Sequence, residues 1–111
     1  MTYEQIVAEV KKICDGADLG DYKNHLAVEV NIIGEGSGIF YIEAKDGVLR
    51  AEPYSYNDRD VRFNISADNF IKLATGKLDA VWAFTTGKLK IDGSVEKALE
   101  FKKIIDIVLK K

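Results

Sequence analysis

One cysteine, one histidine, one tryptophan and one proline in 111 residues leave few groups with which to do chemistry. The lone thiol, Cys14, forms neither an internal disulfide nor a cysteine-rich metal site, in keeping with a reducing compartment. It falls on an apolar helix stripe, where a thiol acts as a small hydrophobe. The lone imidazole, His25, sits beside Asn24 and Leu26 at a strand start with no visible nucleophile to activate, so a surface or strand-end role is expected. Asp58-Arg59-Asp60 places two carboxylates in a polar loop, too few ligands for Ca²⁺, and reads as a solvated turn. No metal or cofactor is implied. Apolar runs are far shorter than the ~20 residues that cross a bilayer, and the N-terminus lacks the basic-then-apolar pattern of a signal segment. A cytoplasmic protein is expected.

Nor is there a linker, a low-complexity tract or a long internal repeat. With 47% hydrophobic and 31% charged residues, the chain has the balance of one globular domain over residues 1–111. Its net charge of −2 conceals an asymmetry. Residues 1–69 hold 7 basic against 13 acidic side chains, and residues 70–111 hold 9 against 5. Lys72, Lys77, Lys88, Lys90, Lys102 and Lys103 therefore fit either a solvated lysine face or a surface for an anionic head group, a coenzyme A phosphate or an acidic membrane. Arginine and aromatic residues do not interleave, so nucleic acid is not an expected partner.

What is present is periodicity. Thr2 and Gln5 have capping-box spacing, and Tyr3, Ile6, Val7, Val10, Ile13 and Cys14 recur at helical period before Gly16 stops the segment. Leu26, Val28, Val30 and Ile32 alternate with Ala27, Glu29 and Asn31, as Phe40, Ile42 and Ala44 do with Tyr41, Glu43 and Lys45. These predict two half-buried strands. The glycines at 34, 36 and 38 lead from one strand into the next rather than into a helix, so they make a hairpin turn and not a phosphate loop. Asp46-Gly47 is a second hairpin signal into a strand near Val48 to Pro53, with Pro53 suited to a strand end or an edge position. Tyr54 to Asp60 is polar loop, in which Tyr54 and Tyr56 fit either a pocket mouth or packing on the loop itself. Val61, Phe63 and Ile65 alternate in a fourth strand. Ser66 caps a helix to about Thr75 with Phe70, Leu73 and Ala74 inward. A short helix from about Asp79 to Thr85 presents Val81, Trp82 and Phe84, where Trp82 serves equally as core or as ligand wall. Leu89 and Ile91 define a fifth strand, and Ser94 caps a closing helix with Val95, Ala98, Leu99, Phe101, Ile105 and Val108 on its apolar surface.

Five strands with one apolar face and about four amphipathic helices predict an α+β domain, a mixed sheet covered on one face. Within it, residues 74–93, ATGKLDAVWAFTTGKLKIDG, are the most distinctive stretch: two Thr-Gly-Lys-Leu repeats bracket an aromatic-rich segment that has no histidine, cysteine or paired carboxylate.

Together with YIEAKDG, DVRFNISADNF and the amphipathic last helix, this stretch resembles the sterol carrier protein type 2 (SCP-2) domain family over about residues 40–108. Ala80 stands where family members often carry Pro, and Thr85 follows Phe84 where a second aromatic is common. Unlike the family's peroxisomal members, which end in a Ser-Lys-Leu type tripeptide, the chain ends Leu109-Lys110-Lys111. The resemblance implies an internal hydrophobic tunnel between sheet and helices, with the last helix near its entrance. Strand positions Val30, Ile42, Phe63, Ile65, Leu89 and Ile91 are candidates to line it. Helical candidates are Phe70 and Leu73 from the second helix, Leu78, Trp82 and Phe84 around the short one, and Leu99 and Ile105 from the last. Periodicity itself shows no cavity, since the same positions serve a filled core.

The expected function is binding and carriage of a hydrophobic ligand: a fatty acid, acyl-coenzyme A, or sterol-like or isoprenoid lipid. An alternative is an interaction module with a filled core that self-associates through a patch around Trp82, Phe84 and the last helix. A hydrolytic enzyme is disfavoured, because no nucleophile–base pair or carboxylate dyad can be named.

Overall fold

The chain opens with the helix its periodicity predicts. In the computed structural model, which describes residues 1–110, α1 (Tyr3–Cys14) starts with Thr2 accepting from the Gln5 N–H while Gln5 reaches back to the Thr2 N–H. Ile6, Val7, Val10 and Cys14 form its buried stripe. Strands β1 (Leu26–Ile33), β2 (Gly38–Lys45) and β3 (Val48–Glu52) follow as antiparallel neighbours. Asp46 and Gly47 both adopt positive φ, 55° and 79°, which matches the mirror-image turn that joins twisted strands most tightly. At the other hairpin, Gly36 answers a different need. A Cβ there would lie 2.5 Å from Ile6 Cδ1, so the glycine lets the start of α1 sit directly on the turn.

The remaining elements are β4 (Val61–Ser66), α2 (Ala67–Ala74), α3 (Ala80–Thr85), β5 (Leu89–Gly93) and α4 (Val95–Leu109). The sheet order is β3-β2-β1-β4-β5, mixed because β1 and β4 run parallel. Register places Val28, Val30 and Ile32 beside Phe63, Ile65 and their β2 partners Ile42 and Phe40, so one face is continuously apolar. All four helices lie on that side: α1 over β3 and β2, α4 over β1 and β4, α2 by β4, and α3 by β5. Four phenylalanines from four elements meet in the middle. Phe40 packs edge-on against Phe70 at 5.6 Å, Phe63 edge-on against Phe101 at 5.3 Å, and Phe70 stacks on Phe101 at 6.4 Å.

The opposite sheet face is polar, and the chain crosses it. To pass from edge strand β3 to β4, residues 53–60 run over β2 and β1. The Tyr56 N–H donates to Glu29 at 3.0 Å, and Asp60 accepts from the Ala27 N–H at 2.8 Å. Beneath this strap Glu29 is 2% exposed, although alternation alone marks it as an outward polar position. Its carboxylate lies 3.1 Å from Arg62 Nε and 3.4 Å from Arg59 Nε. The Arg62 contact is an ion pair without hydrogen-bond alignment, since Arg62 Nε is buried and makes no hydrogen bond. The two sheet edges also differ. Gly16, Ala17 and Leu19 bond to Leu49 and Gly47 and cover β3, whereas β5 ends the sheet on the other side.

Candidate functional site

Apolar space opens at the β5 edge. Its cause is α3, a six-residue helix that buries a single side chain, Ala83. A helix this short has little stability of its own and holds its place through packing. Asp79 caps its start, and Thr85 and Thr86 hydroxyls bond back to the Val81 and Trp82 carbonyls at its end. Between α3, β5 and the first turns of α4 lies an open-sided groove of 230 Å³. Its walls are Ala80, Val81 and Phe84 from α3, Leu89 and Ile91 from β5, and Val95, Ala98 and Leu99 from α4. Every one of these side chains is a hydrocarbon.

A second cleft of 280 Å³ lies between the turn that precedes α3 and the middle of α4, and Ala80 belongs to both. Leu73, Leu78, Phe101 and Ile105 form its apolar part and Lys77, Asp79, Lys102 and Asp106 its rim. Lys102 spans the rim, 3.9 Å from Asp79 and 3.8 Å from Asp106. Thus Ala80 and the start of α3 stand as a partition between two apolar spaces.

The candidate lining residues divide by depth. Val30, Ile42, Phe63, Ile65 and Phe70 are fully buried in the central cluster. Leu89, Ile91, Phe84 and Leu99 form the groove, and Leu73, Leu78 and Ile105 the second cleft. Phe84 and Leu99 are each 44% exposed, so they stand at the mouth. Trp82 is in neither set of walls. It is 51% exposed, with Lys88 Nζ 5.6 Å from its ring centre. Val81, Ala80, Val95 and Ala98 join the site although the sequence did not single them out as lining. Their signal is small size or helical position beside a lining residue, visible only once α3 and α4 face one another.

Polar groups with shifted titration gather on the far side of the sheet. His25 Nε2 lies 2.6 Å from Glu43 Oε2, and the Tyr56 hydroxyl donates to the same oxygen at 2.8 Å. Burial alone would raise the Glu43 carboxyl. Hydrogen bonds from His25 and Tyr56, with the charge of His25, outweigh it and leave Glu43 below the ordinary carboxylate range. The bond to Glu43, and lesser burial, push the Tyr56 phenol up to about 12. These groups anchor the strap; Tyr54, by contrast, is exposed. Burial pushes the Cys14 thiol up to about 12, which makes it inert. No three His, Cys, Asp or Glu side chains among the described residues cluster as metal ligands.

Residues 10–106 match the model of the SCP-2 sterol transfer family. The chain belongs to that family. The SCP-2 match takes in β1 to β3 as well as the distinctive second half. Hydroxysteroid dehydrogenase-like protein 2 of Xenopus tropicalis is 39% identical over 75 residues, 65% of this chain but 18% of that protein. The chain therefore spans under a fifth of that relative's length. Sterol carrier protein 2 of Arabidopsis thaliana is 31% identical over 80 residues, 68% of this chain and 65% of the relative. Among solved SCP-2 structures, Aedes aegypti sterol carrier protein-2 in complex with palmitate, a C16 fatty acid, matches with a TM-score of 0.66. That match has 18% identity and covers 96% of both chains. The α+β SCP-2 fold is thus common to proteins of low sequence identity, and lipid binding and transfer is the family's activity.

Proposed function

We propose that this domain carries one long acyl or similarly slender lipid chain, in the cytoplasm and without chemistry of its own. The observation that supports this most strongly is the wholly hydrocarbon groove beneath α3, in a fold that holds palmitate in the Aedes aegypti relative. The chain enters between Phe84 and Leu99, runs over Leu89, Ile91 and Ala98, and continues past Ala80 into the second cleft when α3 shifts outward. Each space alone is smaller than the ~300–1,000 Å³ of most small-ligand sites, but joined they reach it. An internal tunnel on this reading is the joined, ligand-bound state.

The energetics suit a broad carrier. Burying ~16 carbons at ~0.8 kcal/mol each gives roughly 12 kcal/mol, and association costs of ~4 kcal/mol or more leave about micromolar affinity. Without a polar code in the groove, selection is by length and bulk, so fatty acid, acyl-coenzyme A, sterol-like and isoprenoid ligands compete on size. Lys72, Lys77, Lys88, Lys90, Lys102 and Lys103 supply the charge to meet an anionic head group or membrane. His25 faces the strap, on the other side of the sheet from the groove.

The test is titration with palmitate followed by native mass spectrometry. One equivalent is expected to bind, and Phe84→Arg and Leu99→Arg, at exposed positions that tolerate charge, are expected to abolish it. Exposed Val81, Phe84, Val95 and Leu99 also suit self-association. A mass that doubles with concentration in a protein indifferent to palmitate would replace the carrier reading with that one.

A further inference from the structure

We propose that two copies of this chain associate through β5, antiparallel and centred on Ile91, so that their two five-stranded sheets join edge to edge. This pairing goes beyond the carrier reading and does not depend on it.

The two edges of the sheet are finished differently. Gly16, Ala17 and Leu19 close the β3 edge with backbone bonds to Gly47 and Leu49. β5 has β4 on one side and no strand on the other, and among the described residues its backbone bonds to neither α3 nor a loop. An edge of this kind presents a row of unpaired N–H and C=O groups, a template for another strand unless its side chains repel one.

The order of charges along β5 does not repel a second copy. A two-fold axis normal to the sheet keeps each residue on its own face, so the antiparallel strands must be centred on a residue. Centred on Lys90, two lysines lie directly opposite one another; centred on Asp92, two aspartates do. Centred on Leu89, Lys88 of each copy opposes Lys90 of the other. Centred on Ile91, Lys90 of each copy faces Asp92 of the other, Leu89 faces Gly93, and the whole of Leu89–Gly93 overlaps. Opposite charges across a strand pair stabilise it and like charges destabilise it, so Ile91 is the centre that the sequence of the edge selects.

These two charges are also unclaimed within the chain. Their neighbours on β4 are Asn64 beside Lys90 and Arg62 beside Asp92, and both are turned toward β1. Asn64 accepts from the Asn31 side chain at 2.9 Å, and Arg62 lies 3.1 Å from Glu29. Lys90 and Asp92 are exposed, and neither forms an ion pair among the described residues. On the apolar face Ile91 meets its own copy. There α3 lies beside β5, so exposed Val81, Trp82 and Phe84 of both copies are brought to one seam. Trp82, for which the core has no use, gains cover there.

Sedimentation velocity over a concentration series is expected to show a monomer passing to a dimer. Lys90→Asp and Asp92→Lys each set two like-charge pairs across the axis, and each is expected to weaken the dimer at least about tenfold. Mixed one to one, the two variants are expected to form a heterodimer. The double variant Lys90→Asp/Asp92→Lys is expected to recover the dimer of the unaltered protein, because both arrangements restore opposite charges. Neither residue lines the groove, so palmitate affinity is expected to stay within about twofold in every variant, with unchanged circular dichroism. A monomer at every concentration overturns the proposal. A dimer that tolerates either single substitution, or a mixture that associates no more tightly than its components, overturns pairing through β5 in favour of another face. A charge-sensitive dimer that ignores palmitate leaves the pairing standing and sinks the carrier reading; a monomer that binds palmitate does the reverse.

Discussion

Affinity for straight-chain fatty acids is expected to climb with chain length and then stop, at a length set by the two apolar spaces. A methylene occupies about the ~30 Å³ of a water-sized group, so 230 Å³ takes up about eight carbons and the addition of 280 Å³ raises this to about seventeen. Up to that point each carbon adds ~0.8 kcal/mol, about fourfold in Kd. Beyond it an added carbon meets water and changes nothing. Octanoate, worth ~6 kcal/mol gross against association costs of ~4 kcal/mol or more, is expected to bind no tighter than millimolar. Competition with a fluorescent fatty acid over a C8 to C20 series measures the curve. Ala80 stands between the spaces, so Ala80→Trp is expected to move the plateau from about seventeen carbons down to about eight. Circular dichroism shows whether the fold survives the substitution. A plateau that stays near C16 in folded Ala80→Trp protein, or a wild-type curve still rising at C20, would refute a chain threaded beneath α3.

Three further outcomes follow from the packing. Ala80→Pro is expected to raise stability by ~0.4–1 kcal/mol, seen as a higher Tm, because position 80 is the first residue of α3 and Asp79 already has the extended ψ of 130° that precedes proline. Glu29→Gln removes the charge that faces Arg59 and Arg62, and a loss of about 2–3 kcal/mol in urea unfolding is expected. That is below the ~3–5 kcal/mol of a fully enclosed pair, since both arginines reach solvent. The strap predicts stability lost at both pH extremes. The lowered Glu43 contributes above its ordinary carboxylate pKa and fails as pH falls through its lower folded value. The raised Tyr56 contributes fully below pH 10.0 and fails as pH climbs toward about 12. Thermal unfolding of Tyr56→Phe against pH is expected to show a smaller alkaline loss than the unaltered protein, the remainder coming from Tyr22 and Cys14, which are also pushed up to about 12.

Local pattern determined most of the elements. Alternation at Val28, Val30 and Ile32 named the inward face of β1, the Thr2 and Gln5 pair set the start of α1, and Asp46-Gly47 set a turn, because each depends on neighbours within a few residues. The SCP-2 signature was legible too, in the spacing of the Gly-Lys-Leu repeats. Only the tertiary structure decided which apolar faces are covered. Phe70 and Phe84 look alike as helical apolar positions, yet one is fully buried beside Phe40 and the other stands at an open mouth. Glu29 alternates like any solvated strand residue, but a strap from β3 to β4 closes over it, a consequence of the parallel β1–β4 pairing. Periodicity records the side a residue faces, which is a property of one element. Burial depends on what arrives from elsewhere in the chain, and a six-residue α3 is too short to cover the sheet edge it reaches.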